Sequence, residues 1–227
     1  MRNAHSTRHL ALGTLLAGLC AAAATGFAEP NAPAKQHVPE RLDQVRLIHP
    51  AAANRNHILV SNVGGAIPAE QWGTVVTFAA SRLQLNIWTN AVDKFDIAAY
   101  ALDPLKGTKD FGEKSKVCVF LLDDPKLATF TGAPGCWCAV NLRNILRDRP
   151  DPQTLKDRYA KMILKGLAYA CGSGASLDAA CSLSCRSITL KGMDSTGIQI
   201  SPMAYFPMLE HLKVIGGNEI ISPATGE

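Results

Sequence analysis

The segment KVCVFLLDD, residues 116–124, constrains the fold of this chain more than any other, because six apolar residues follow one another between a lysine and two aspartates. A strand with one face in water would alternate apolar and polar residues, so an unbroken run is typical of a strand buried on both faces. Helices are the usual cover for both faces of a parallel sheet. The run therefore predicts the central strand of an α/β sandwich.

Segments on either side of this run supply further predicted strands and helices. HILVSN, residues 57–62, is rich in β-branched residues and predicts a strand. Helical spacing from Trp72 to Leu83 predicts a helix after Pro68, and LQLNIWTN, residues 83–90, then alternates as a strand. A second helix is favoured at 93–102, a Gly/Pro loop at 126–136 and a short strand at 139–142. This order predicts three layers around a mostly parallel, twisted sheet.

The longest helical pattern is DPQTLKDRYAKMILKGLAYAC, residues 151–171. Its apolar stripe predicts a helix from Gln153 to Cys171 that is broken at Gly172. Gly166 lies inside the helix at a cost of about 1 kcal/mol relative to alanine, which favours a close-packing role. A last short helix is predicted with Pro207 in its first turn and an end at residues 216–217.

The N-terminus has the three parts of a secretory signal peptide. Two arginines precede the apolar run at residues 10–24, and the small-residue site GFA stands before Glu29. We predict cleavage after Ala28 and export to the periplasm or the cell exterior. Lipidation at Cys20 is the alternative, although Leu19 stands where a lipid-attachment box has a small residue.

Composition and charge then indicate how the mature chain is divided and which classes of partner are not expected. Residues 29–56 predict a Pro/Ala-rich tail or linker, residues 57–221 a single domain, and residues 222–227 a tail. The two arginines leave with the signal segment, so the net charge falls from +4 to +2. Without a basic block, a nucleic-acid partner is not expected. No second apolar run is long enough to predict a membrane span.

Removal of Cys20 leaves six cysteines, and an even number in an exported chain favours up to three disulfides. The alternative is a thiolate metal site built from CWC and CSLSC, but these spacings differ from the repeated C-x2-C of zinc ribbons. The connectivity stays open. The candidates are Cys118, Cys136, Cys138, Cys171, Cys181 and Cys185.

The long helix and the loop after it resemble the metzincin zinc proteases, whose signature is H-E-x-x-H-x-x-G-x-x-H. Aligned from Lys165, the three histidine positions hold Lys165, Tyr169 and Ala175. Gly166 stands at the position of the glutamate that acts as general base. Gly172 matches the helix-breaking glycine. One signature position of five is therefore kept, and it is the structural one.

The flanks are similar to the archaemetzincins within that family. Lys161 matches a basic residue ahead of the motif, and Cys181 and Leu183 stand where the cysteine and methionine of a Met-turn would be. A second Met-turn register places Met203 of SPMAY at the methionine, whereas the alternative is Met203 packed in the core. By the same resemblance, VCVFLLDDPKLA is a sheet strand and CAVNLRNIL an edge strand. CWC and CSLSC would then border one cleft.

The resemblance implies a protein that has lost its zinc site. A lysine ammonium has no lone pair for a metal and alanine has no donor, so we expect no metal and no cofactor. The predicted function is a non-catalytic binding or regulatory protein, a pseudoprotease with an unknown protein or peptide partner. The alternatives are an unrelated secreted α/β binding domain and a hydrolase with an unrecognised site. The remaining chemistry-bearing residues are isolated: His57, His211 and the pair Asp123 and Asp124, for which a turn is favoured.

Overall fold

The computed structural model describes residues 39–50, 58–106, 117–184 and 189–214. The predicted signal segment, His57, Cys185 and everything after residue 214 lie outside these ranges. Five strands form one sheet in the order β2-β1-β3-β5-β4. The strands are β1 (Ile58–Val63), β2 (Ile87–Val92), β3 (Val117–Leu122), β4 (Phe130–Ala133) and β5 (Trp137–Asn141).

The sheet is parallel except at one edge. β1 pairs in parallel with both β2 and β3, and β3 pairs in parallel with β5. β4 is antiparallel to β5 and closes the edge. All six residues of β3 are buried, as expected for a central strand covered on both faces. The predicted α/β class with a mostly parallel sheet is confirmed.

Helices cover both faces of this sheet. α1 (Ala69–Leu83) and α3 (Pro152–Ala170) pack with each other and with one face, where the larger core lies. α2 (Ile97–Leu102) places Tyr100 in a smaller, aromatic cluster on the other face. Two more helices, α4 (Leu190–Ser195) and α5 (Pro202–Val214), follow α3 in the chain. No helix in the described ranges is long and apolar enough to cross a membrane.

α3 forms as its sequence predicts, to within a residue at each end. The Asp151 carboxylate accepts the N–H groups of Gln153 and Thr154, each at 3.0 Å, and so caps the first turn. At the other end Gly172 adopts φ +69°, and its N–H reaches the carbonyl of Tyr169 at 3.0 Å. A glycine takes this left-handed conformation without steric cost, which explains why the helix ends here.

Gly166 lies where α3 packs against the sheet. A β-carbon at this position would lie 2.5 Å from Cγ2 of Val140 on β5 and 2.9 Å from Cγ1 of Val119 on β3. Both distances are far below van der Waals contact, so only glycine lets the helix come this close. The close-packing role expected of Gly166 is confirmed.

The strand boundaries differ from the sequence prediction at two places. α1 continues to Leu83, and Gln84 ends it in the left-handed region at φ 54°, so β2 begins at Ile87 rather than at residue 83. The segment interpreted as a loop contains β4, and β5 is an interior strand. CAVNLRNIL is therefore not the edge strand. The edge is β4, only four residues long and interrupted by Gly132, which leaves no readable alternation.

Part of the predicted linker packs against the domain. The backbone N–H of Leu42 donates to Oδ1 of Asp157 on α3 at 2.8 Å, and the Leu42 side chain is buried. The N–H of Ile48 donates to Oγ of Ser81 on α1 at 3.1 Å. Residues 42 to 48 form a segment of only seven residues, which is too short for a periodic signal, so the sequence pattern did not reveal this contact.

The last described helix also starts earlier than predicted. Pro202, not Pro207, stands in the first turn of α5, and Pro207 lies inside the helix. A proline there leaves the carbonyl four residues earlier, on Met203, without its helical donor. Because Met203 is exposed, water can satisfy that carbonyl.

The predicted disulfides are not supported by the structure. Within the described ranges Cys136, Cys138, Cys171 and Cys181 are thiols. The sheet separates the cysteines, since Cys118 and Cys136 belong to the smaller cluster and the other three to the larger core. The Cys181 sulfur accepts two backbone N–H groups at 3.4 Å, and burial raises the pKa of Cys138 and of Cys171 to about 12. These cysteines behave as small apolar residues.

Candidate functional site at the edge strand

β4 presents an open backbone edge. The N–H of Asn141 donates to the carbonyl of Thr129 at 2.9 Å, which makes residues 129 and 141 a hydrogen-bonded antiparallel pair. Such pairs alternate along the ladder, so Phe130 and Gly132 direct their backbone groups away from β5. In the described part of the chain no strand pairs with this outer edge. β4 is therefore one of the two sheet edges, with β2, where an extended segment could join the sheet.

A row of three side chains on α3 lies beneath that edge. Lys161, Lys165 and Tyr169 are four residues apart and share one helical face. The Tyr169 ring stacks on Phe130 with a centroid separation of 6.4 Å, and its hydroxyl lies 3.5 Å from the outward carbonyl of Gly132. The last turn of α3 is thereby placed against β4.

The other end of the row is fixed to a second wall. The Lys161 ammonium donates to the carbonyl of Met193 at 2.7 Å and to that of Thr196 at 2.8 Å. These carbonyls belong to the end of α4 and the residue after it. Lys165 lies between these two side chains on the same face of α3 and is half-buried. We call the space between β4 and the segment 193–196, which this face of α3 borders, the cleft.

Burial dominates the electrostatics of this face of α3. It lowers the pKa of Lys165 to about 8, and the neighbouring Lys161 ammonium lowers that pKa further. Burial also lowers the pKa of Lys161 to about 8, although Asp157 and Asp194 oppose the shift. The pKa of Tyr169 is raised by burial, so its hydroxyl stays protonated at neutral pH. The row thus offers donors in a poorly hydrated setting.

A cavity of about 270 Å³ lies between α3, α4 and the start of β4, and none of the three side chains of the row lines it. Thr129, just before β4, lies on one side of it, Met162 of α3 and Met193 of α4 supply apolar walls, and Arg147 contributes a charge. This cavity is large enough for a side chain of a bound segment.

The structure brings together some of the predicted site residues and separates others. Lys165 and Tyr169 share the cleft, whereas Gly166 faces the sheet. Ala175 is exposed in the loop that follows Gly172. The next residue fixes that loop, because Ser176 donates its N–H to the carbonyl of Leu183 at 2.9 Å.

The two Met-turn candidates occupy different environments. Leu183 is buried in the larger core, next to the hydrogen-bonded Cys181 sulfur. Met203 is 84% exposed in the first turn of α5, so it is packed neither beneath the cleft nor in the core.

The isolated polar candidates serve structural roles. The Nε2 atom of His211 lies 2.9 Å from the carbonyl of Gly135 and joins α5 to the turn between β4 and β5. Asp123 pairs with Arg143 at 3.1 Å, and Asp124 accepts the N–H of Lys126 at 2.7 Å. The latter contact closes a turn after β3, which agrees with the interpretation favoured for this pair.

The cleft residues do not fit a zinc ion. An ammonium and a protonated phenol present donors where a metal requires lone pairs, and Ala175 has no polar group. Among the described residues, no group of three or more histidine, cysteine or acidic side chains is placed to hold a metal. What the row can do is donate hydrogen bonds and place positive charge beside an open strand edge.

No family model matches the sequence, and no curated protein matches it either. Solved structures do match the fold. The crystal structure of archaemetzincin from Methanopyrus kandleri superposes with a TM-score of 0.50 at 19% identity, covering 73% of this chain and 99% of that one. The fold is archaemetzincin-like. A zinc-dependent peptidase from Methanocorpusculum labreanum gives a TM-score of 0.52 at 10% identity, covering 66% and 99%.

This likeness agrees with the resemblance inferred from the long helix and its glycine. At such low identity it concerns the fold alone. Sequence reasoning missed Phe130 and Gly132, which line the cleft, because β4 was interpreted as a loop. The one available signal was the stretch Thr129 to Thr131, three residues that favour strands.

Proposed function

We propose that the protein is an exported, non-catalytic relative of the zinc peptidases, a pseudoprotease that binds an extended peptide segment along β4. The observation that carries the proposal is the identity of two residues on the face of α3 that borders the cleft, since Lys165 and Tyr169 stand at histidine positions of the resembling motif. The proposal is supported by the contact of Tyr169 with β4, whose outer edge pairs with no described strand. A strand added to such an edge gains main-chain hydrogen bonds, and pockets nearby select its side chains.

The loss of zinc chemistry is tested by metal analysis and a peptidase assay on the purified protein. We expect no stoichiometric zinc and no chelator-sensitive hydrolysis. Hydrolysis that a chelator abolishes would instead favour a hydrolase with an unrecognised site.

A triple variant tests whether the cleft has kept the geometry of a metal site. It carries Lys165→His, Tyr169→His and Ala175→His but keeps Gly166, because a side chain there would collide with Val140. If the geometry is retained, the triple variant gains zinc affinity that the natural protein lacks. A folded triple variant without zinc affinity would mean that the loop after Gly172 has moved away from the metal position.

Binding at the edge is tested with two variants of Phe130. Phe130→Pro removes the outward N–H, while the bonds to β5 come from the neighbouring residues and remain. Phe130→Ala loses the same ring contact with Tyr169 but keeps the N–H. We expect peptide binding to fall more for the proline variant than for the alanine variant. Equal losses would show that the ring, and not strand addition, holds the peptide.

Export is supported by the signal-peptide pattern at residues 1–28. Mass spectrometry of the exported protein should find Glu29 as the first residue, and a chain that begins at a lipid-modified Cys20 would contradict this. Mass spectrometry of a proteolytic digest made without reduction shows whether the cysteines are thiols, as in the structure, or form disulfides.

A further inference from the structure

We propose that the crevice at the carboxyl ends of β1, β2 and β3 binds an organic cation, an ammonium or guanidinium group carried on an apolar body. This site is separate from the peptide site proposed along β4, because none of the residues that line it belongs to β4 or α3. A cavity, the fixed segments that form its walls and the charges at its rim support the assignment.

The cavity has a volume of about 380 Å³ and lies where the chain leaves two adjacent strands toward opposite faces of the sheet. After β1 the chain enters α1, which packs in the larger core, and after β2 it enters α2, which contacts the smaller cluster. Residues at the ends of β1 and β3, and in the segments that follow β1, β2 and β3, line the space. In open α/β sheets the crevice at such a switch point is where ligands bind.

Two of the three segments that line the cavity are held by buried amide side chains. After β1, the Asn62 amide donates to the carbonyl of Ile67 at 2.8 Å and accepts the N–H of the same residue at 3.0 Å. After β3, the Asn141 amide donates to the carbonyls of Asp124 and Leu127 at 2.6 and 2.8 Å. The cavity is therefore preformed, as small-molecule sites usually are.

The inner part of the cavity is apolar and aromatic. Val63 and Leu122 belong to the smaller cluster, and the half-buried Phe95 packs against it. The Phe95 ring is fixed by stacking on Phe120 with a centroid separation of 4.0 Å. These side chains can bury the apolar body of a ligand, and an aromatic ring attracts a cation that approaches its face.

The rim of the cavity carries more negative than positive charge. Asp93, Asp123 and Asp124 contribute three carboxylates, against the single ammonium of Lys94. One of these carboxylates already pairs with a guanidinium, since Nη1 of Arg143 lies 3.1 Å from Oδ1 of Asp123. Carboxylates are acceptors only, so the rim favours a ligand that donates hydrogen bonds and carries positive charge.

The negative field extends beyond the rim. Burial raises the pKa of Tyr159 on α3, and the charges of Asp123 and Glu70 raise that pKa further. Glu70 lies in the first turn of α1, which begins at the same end of the sheet. A cation that approaches this end of the molecule is therefore attracted, whereas an anion is repelled.

The cation has two sources, a free small amine or guanidine and the basic side chain of a peptide. Nuclear magnetic resonance titration of the isotope-labelled natural protein separates them. Benzylamine is the free cation, and benzyl alcohol and phenylacetate are its neutral and anionic counterparts. The peptide probe is an acetylated and amidated tripeptide with a central arginine, and the same peptide with citrulline is its neutral counterpart.

Three variants assign the binding to the rim. Asp93→Asn removes a carboxylate at nearly constant shape, and Lys94→Gln removes the opposing ammonium. Asp43→Asn is the matched control for loss of an exposed carboxylate. Asp43 adjoins Leu42, whose side chain is buried in the larger core on the other face of the sheet. Circular dichroism establishes that each variant is folded.

We expect benzylamine or the arginine peptide to shift the amide resonances of Gly64 and Lys94, and the neutral and anionic counterparts to bind at least about threefold more weakly. The dissociation constant of the cation should rise about two- to fivefold in Asp93→Asn and fall in Lys94→Gln. Asp43→Asn should leave it unchanged. A response to benzylamine alone assigns the site to a free amine, a response to the arginine peptide alone assigns it to a side chain, and both support the inference.

Equal binding of benzyl alcohol or phenylacetate and of benzylamine would overturn the inference, because the site would then not require a cation. Shifts confined to residues outside the cavity, or no shifts with any probe, would overturn it as well. The probe series on the natural protein decides the question even where a variant does not fold. None of these results bears on the peptide site proposed along β4.

Discussion

Arg158 and Lys161 in the first half of α3 donate hydrogen bonds to α4 and the segments beside it, whereas Tyr169 in the second half packs against β4. The Arg158 guanidinium donates to Asp148 and Asp194 and to the carbonyl of Ile145 at distances from 2.6 to 2.9 Å. Those hydrogen bonds raise the pKa of Arg158 above its usual value. The two halves of one helix therefore contact opposite sides of the cleft, the first half at α4 and the second half at β4.

This difference explains how a cleft can persist without a metal. Arg158 joins the segment before α3 to α4 through Asp148 and Asp194, and Lys161 adds two carbonyls at the end of α4. The wall opposite β4 is thus held by charge-assisted hydrogen bonds from the helix itself.

The largest expected effect comes from Arg158→Ala, which removes the guanidinium that links these elements. We expect the free energy of unfolding to fall by about 3 kcal/mol, because the buried guanidinium is lost and the Ile145 carbonyl and two half-exposed carboxylates lose their donor. Chemical denaturation measures the change. Arg143→Ala is the control, since its pair with Asp123 is exposed and is expected to contribute less than about 1 kcal/mol. Similar losses for both variants would contradict the assignment of the first half of α3 as the structural part.

A second comparison concerns two helical glycines. Gly166→Ala should lower the free energy of unfolding by roughly 1–3 kcal/mol, because its β-carbon would meet Val140 and Val119. In Gly73→Ala on α1 the new β-carbon has no atom within 4 Å. This variant should raise the free energy of unfolding by about 0.5–1 kcal/mol. Thermal unfolding of the two variants should therefore shift in opposite directions. A stabilised Gly166→Ala would mean that α3 does not depend on close approach to the sheet.

The same contrast shows what could be predicted from the sequence. The central strand and α3 were predicted because each has a long signal, six apolar residues in one and five helical turns with a glycine end in the other. Lys165 and Tyr169 were placed on one face by their spacing alone.

The other half of the site could not be predicted. β4 is an edge strand of only four residues, one of them glycine. Its edge position depends on pairing with β5, and the local sequence pattern does not encode that pairing. The contact of residues 42 to 48 with α1 and α3 is likewise set by partners far along the chain. The cleft arises where these non-local contacts meet α3.

The smallest expected effect compares two lysines one turn apart on α3, each with a pKa lowered to about 8 by burial. Lys165→Met removes a cation that the fold disfavours, so we expect the free energy of unfolding at pH 6.5 to rise by about 1–2 kcal/mol. Lys161→Met removes a similar cation but leaves the carbonyls of Met193 and Thr196 without their donor. That loss should cancel or reverse the gain.

The pH dependence of the Lys165→Met gain follows from the direction of the shift. A lysine whose folded-state pKa is about 8, below its ordinary 10.5, is charged in both states below pH 8, so the full cost of burying the charge is present there. Between about pH 8 and pH 10.5 the unfolded chain keeps the proton and the folded chain loses it, so this cost fades as the pH rises. The gain in free energy of unfolding of Lys165→Met over the natural protein should therefore be largest below pH 8 and smaller at pH 9.5. Cysteines and tyrosines titrate in both proteins, so their contributions cancel when the two free energies are subtracted. Urea titrations of both proteins at pH 6.5 and 9.5 measure it. A gain that is the same at pH 6.5 and at pH 9.5 would show that burial does not lower the pKa of Lys165 in the folded protein. The comparison of Lys165 with Lys161 would then have no electrostatic basis.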